Sequence, residues 1–109
     1  MRQRRARQKD GKHLDFVRSL PCLICGNNIE TEAAHVRMAD LSVAKPMTGI
    51  AIKPDDKYVV PLCGHHHRSQ HMMDERAWWG SRDPVKIALA LYAVSGDHAA
   101  GEQIVMANV

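Results

Sequence analysis

Three cysteines and a dense run of histidines restrict this chain more than anything else in it. Cys22 and Cys25 are two residues apart, and Cys63 opens the run Cys63-Gly64-His65-His66-His67-Arg68-Ser69-Gln70-His71. A Cys-x-x-Cys followed at a distance by a Cys-x-x-His supplies four donors to one tetrahedral zinc ion: two thiolates, then a thiolate and an imidazole. His66 repeats the two-residue spacer from Cys63 and is the preferred fourth ligand. His65 and His67 are its neighbours, and His67 lies at i,i+4 from Cys63. An odd count of three cysteines fits a metal better than a disulfide framework. No βαβ pattern surrounds the first pair, as a thioredoxin-like redox unit would require. At 109 residues the chain is one small domain with a modest core, and a metal held only by the folded state adds directly to its stability.

Of the histidines left once the zinc ligands are assigned, three have a directional logic. His67 and His71 are one helical turn apart on the same face, a spacing at which neutral imidazoles chelate a divalent cation. His35 lies upstream, in the strand-like stretch Thr31-Glu32-Ala33-Ala34-His35-Val36. A histidine on a strand held opposite a metal-binding helix can act as general base, taking a proton from water aimed at a phosphodiester. Glu32 is an odd number of residues from His35, so strand alternation puts the two on opposite faces.

The remaining elements read as scaffolding. His13–Leu20 can form a short helix with Leu14, Val17 and Leu20 on one face, stopped by Pro21. Gly26 and Asn27 tolerate the left-handed backbone of a tight metal knuckle. Residues 30–37 and 57–62 read as strands, the second ended by its proline, with a long connection from Met38 to Asp55 between them. A helix follows from the histidine run, and a new turn begins near Ser69 or Asp74. Asp83 is an N-cap, Pro84 takes the first helical position, Gly96 stops that helix and Asp97 caps another ending near Met106. At least one of Trp78 and Trp79 is expected to anchor the core, and His98 to be exposed.

Charge is unevenly placed. Among residues 1–12, Arg2, Arg4, Arg5, Arg7, Lys9 and Lys12 face Asp10 alone, more positive charge than the +3 of the whole chain. The expectation is a flexible basic arm over residues 1–11 on a single domain spanning 12–109. That domain has its motif core in 22–73 and a helical part in 74–109. Arms of this kind contact nucleic acid in a salt-dependent way. No apolar run approaches the ~20 residues that span a bilayer, and no apolar stretch follows the basic start as in a secretory signal. A cytoplasmic protein without membrane contact is expected.

The arrangement Cys22-x-x-Cys25, Ala34-His35-Val36, Val59-Val60-Pro61-Leu62-Cys63-x-x-His66-His67-x-x-x-His71 resembles the HNH endonuclease family, most of all its short phage- and prophage-encoded members. The resemblance covers roughly residues 13–105. It implies an α+β fold: a small zinc-stabilised ββα-metal core with flanking N- and C-terminal helices. It implies His35 as general base, and His67 and His71 as ligands of a catalytic divalent ion, Mg²⁺ or another. Ala34 stands where many members carry a further metal ligand, and His66 where cysteine is commoner. The family's middle Asn is absent, and Asp56, in that neighbourhood, can orient the loop carrying His35. DNA is the implied partner, contacted by Arg2, Arg4, Arg5, Arg7 and Arg37, and phage or host recombination or packaging proteins are further candidates. The implied activity is metal-dependent hydrolysis of DNA phosphodiesters. The alternatives are a zinc-containing module that binds DNA or protein without cutting, and a zinc ribbon serving assembly alone.

Overall fold

Short-range signals define each element. A computed structural model describes residues 8–38 and 54–109. Helix α1 (Gly11–Arg18) starts two residues earlier than expected, because Asp10 caps it by accepting from the His13 amide at 3.1 Å. Strand β1 (Thr31–His35) and strand β2 (Val59–Cys63) pair antiparallel, with Thr31 opposite Cys63 and His35 opposite Val59. The expected strand ends shift. Pro61 does not terminate β2 but sits inside it, opposite Ala33. A proline is tolerated in a strand where its missing N–H is not needed by the ladder. Its carbonyl accepts from the Leu23 amide at 2.9 Å, which ties the first knuckle to β2.

Helix α2 (Gly64–His71) follows β2 without a linker, then come α3 (Glu75–Trp79), α4 (Pro84–Ala93) and α5 (His98–Met106). Asp83 and Asp97 cap α4 and α5, accepting from the amides of Lys86 and Ala100 at 3.2 Å each. The described residues thus form a small α+β fold with one two-stranded sheet. None of their helices is long and apolar enough to cross a membrane.

The core lies where the helices meet β2, whose first four residues are buried. Val17 and Leu20 of the α1 segment, Val59, Val60 and Leu62, and Val85, Ala88 and Leu91 of α4 fill it with Trp79. Trp79 is the core anchor, while Trp78 is half-buried with its indole N–H on Ser69 Oγ at 2.9 Å. Helix α5 closes on α1 at Gly101, where an added Cβ would come within 2.6 Å of Phe16 Cζ.

The expected division between arm and domain also moves. Residues 8–10 are bonded to Asp55 and Asp56, so the folded domain takes in residues 8–11. Arg2, Arg4, Arg5 and Arg7, and most of the long connection expected from Met38 to Asp55, lie outside the described residues.

Candidate metal centre and histidine cleft

The backbone of the first knuckle turns back on itself through Gly26, at φ +72°, with the Gly26 amide donating to the Cys22 carbonyl at 2.8 Å. This brings Cys22 and Cys25 onto one side of the turn. The β2–α2 junction brings Cys63 and His66 to the same point. The donor atoms of Cys22, Cys25, Cys63 and His66 all lie within 4.8 Å of one another. His66 Nδ1 is 3.1 Å from Cys63 Sγ and 3.7 Å from Cys22 Sγ. Donors around one tetrahedral zinc sit about 3.6–3.8 Å apart, given Zn–S of about 2.3 Å and Zn–N of about 2.0–2.1 Å. Three thiols and an imidazole at this spacing fit a structural metal such as zinc. His66 is the imidazole that joins the thiols. His65 is exposed beside it, with ring centroids 5.0 Å apart, and His67 is engaged elsewhere.

The electrostatics suit metal binding. Burial raises the Cys22 thiol, but the backbone amides of Cys63, Cys25 and Ile24 donate towards its sulfur and hold it below the ordinary thiol range. One of these bonds, from Ile24 N–H, is 3.4 Å long. Cys25 is pushed up: the Asn27 amide favours its thiolate, but burial and the neighbouring Cys22 and Cys63 sulfurs outweigh it. Like charges in a tight set of thiolates repel until a cation neutralises them. Burial, with His65 adding, lowers His66 and keeps it in the neutral form that ligates.

The other three histidines are not gathered in the same way. Among the described residues, the Cys22–His66 set is the one group of three or more potential ligands around a common point. His35, at the end of β1, has Nε2 3.0 Å from Asp56 Oδ1, with side chains only 12% and 2% exposed. His67 Nδ1 is 2.6 Å from Glu32 Oε1. Glu32 therefore serves the α2 side of β1, as strand alternation requires, and not the Asp56 side. The His67 and His71 rings are 5.0 Å apart. Burial lowers His71, with His67 and Arg37 adding to the effect and Glu75 opposing it.

A cleft of about 140 Å³ brings His35, His71 and Arg37 together with Gln70, Met73 and Glu75. Glu75 braces its wall. Its carboxylate accepts from the Arg37 amide at 3.0 Å, from Gln70 Nε2 at 2.9 Å and from Trp79 Nε1 at 3.0 Å. Gln70 Nε2 also reaches the His35 carbonyl at 3.4 Å. Buried Arg37 Nε and Gln70 Oε1 have no hydrogen-bond partner among the described residues. Gln70 and Glu75 were not singled out from the sequence. Neither carries a spacing signal, since their role depends on where α3 folds back. Cleft and knuckle share α2, which carries His66 on one side and His71 at its end.

No curated protein and no solved structure matches the chain. Residues 1–95, from the N-terminus through α4, match the family model described as "Protein of unknown function (DUF968)", and the chain carrying this Cys₃His centre belongs to that family.

Proposed function

We propose that this protein is a divalent-metal-dependent DNA endonuclease with an HNH-like ββα-metal core, in which zinc is structural and His35 is the general base. The observation that carries this reading is His35, held 3.0 Å from the Asp56 carboxylate, in the wall of a cleft that His71 and Arg37 also line. A carboxylate against Nε2 favours the tautomer protonated there and leaves Nδ1 as the basic nitrogen. His35 then takes a proton from water as its oxygen bonds to phosphorus and the bond to the leaving sugar oxygen breaks. Arg37 adds positive charge beside the developing phosphorane. His71, with His67 of the same helix face, would hold the catalytic ion, which supplies Lewis-acid stabilisation of the phosphate charge. Imidazole donors suit Mn²⁺, Co²⁺ or Ni²⁺ at least as well as Mg²⁺.

The test is cleavage of plasmid and linear duplex DNA across these four cations. His35→Ala should lower the rate by ~10²–10⁴-fold, the usual worth of a general base, with zinc content and DNA affinity retained. A wild-type protein that cuts no form of DNA with any of them would overturn the reading.

One observation favours a second reading, a module that binds DNA or a recombination or packaging partner without cutting. Ala34 is fully buried and offers no donor where a further ligand of the ion would stand. On that reading DNA binding survives in wild type and in His35→Ala alike, and neither cleaves.

A further inference from the structure

We infer that the short segment Gln8–Asp10 is a positioning element of the histidine cleft, holding the Asp56 carboxylate and through it the His35 ring. The inference rests on the phosphodiester-hydrolysis reading for its substrate. Its structural half can be tested without it.

The segment is stapled to the loop before β2 by backbone groups. Gln8 N–H donates to Asp55 Oδ1 at 2.8 Å, and Asp56 N–H donates to the Gln8 carbonyl at 2.9 Å. Asp10 N–H then donates to Asp56 Oδ2 at 2.8 Å. Asp55 and Asp56 are only 7% and 2% exposed. Two adjacent buried carboxylates are unfavourable unless donors meet them, and main-chain amides fixed by the fold are well suited to do so. With Oδ2 of Asp56 held by the chain, Oδ1 is presented to His35 Nε2. Asp10 is fixed in turn, because its own carboxylate caps α1 through the His13 amide. A chain of bonds thus runs from the start of α1 through Asp10 and Asp56 to His35. Asp10 is a positioning residue that acts through its backbone, while its side chain caps the helix.

The decisive comparison is Asp10→Pro against Asp10→Ala in the full-length, zinc-loaded protein. Both lose the side-chain cap; the proline also loses the N–H that holds Asp56 and, with φ fixed at about −65° where Asp10 has −148°, shifts the backbone that carried it. Zinc content and cooperative unfolding report the fold, and Gln8→Pro, which removes the amide on Asp55, substitutes if Asp10→Pro does not fold. Imidazole ¹⁵N spectra should show His35 protonated at Nε2 in wild type and Asp10→Ala, with that preference lost in the proline variant. The proline variant should also lose ~10²-fold in kcat, as small misplacements of a reacting group do. Identical His35 spectra in the proline and alanine variants would overturn the inference. If wild type cuts no DNA, the hydrolysis reading fails, and the spectra still decide the positioning role.

Discussion

The knuckle and the cleft both draw a histidine from α2, yet they are assembled differently. In the knuckle, two tight local turns converge and four donors come within 4.8 Å of one another. His35 in the cleft and His67 on α2 beside it are instead each held singly by a carboxylate from a distant part of the chain, Asp56 and Glu32, 21 and 35 residues away. A set whose four donors converge on one point suits a permanently held structural metal. A set whose members are oriented singly suits a site completed by substrate and an exchangeable ion.

The largest effect that could break this contrast is on the knuckle. Cys63→Ser, or stripping by a strong chelator, should abolish cooperative folding. Apparent binding free energies for structural zinc, about 10–16 kcal/mol, match or exceed the ~5–15 kcal/mol total stability of a small domain. Circular dichroism and elemental analysis check this together, and a folded zinc-free protein would erase the distinction between the sites.

Next in size is the cleft. His71→Ala should lower cleavage by ~10-fold or more at low metal concentration and recover towards wild type as the cation is raised, since outer and inner ligand losses typically cost ~10–100-fold. Metal titration of the cleavage rate separates this from His35→Ala, which should not recover. Glu32→Gln sharpens the comparison further. Removing the carboxylate that holds His67 Nδ1 should raise the cation concentration for half-maximal rate by a few-fold, because Glu32 orients the ring with Nε2 as the ligating nitrogen. No change would place His67 outside the ion's shell.

The smallest expected effect lies away from both sites. His13 is fully buried, with Nδ1 2.8 Å from Ser95 Oγ. Burial pushes it below its ordinary 6.5, although Asp10 and Asp56 pull the other way. The unfolded chain therefore binds a proton at a higher pH than the folded one. Stability is full above about 6.5 and falls as pH drops from there through the lowered folded value. His13→Gln should flatten that stretch of the stability–pH curve relative to wild type. Denaturant midpoints at fixed zinc, compared between the two proteins, cancel the shared pH dependence of the metal site.

Much of the knuckle was legible because its information is local. Spacing alone picked Cys22, Cys25, Cys63 and His66, and caps at Asp83 and Asp97 marked the last two helices. Strand alternation also separated Glu32 from His35. It could not say that Glu32 meets His67, because that depends on how α2 lies across the hairpin. The staple of Gln8 and Asp10 on Asp55 and Asp56 bridges 47 and 46 residues, and no periodicity carries such a pairing. Pro61 misled for a related reason: a proline ends most strands, but here its carbonyl does the bonding and the N–H it lacks is not called for.

The contact between α1 and α5 also orders events in time. The four knuckle donors have all been synthesised once His66 has emerged, so the metal centre can assemble early. The face of α1 made by Phe16 and Leu20 waits for Gly101, which at ~5–20 residues per second arrives a few seconds later. During that interval the nascent chain would be clasped at its metal and open at its first helix. A chaperone or protease meeting it then would see apolar side chains of α1 that the finished molecule hides.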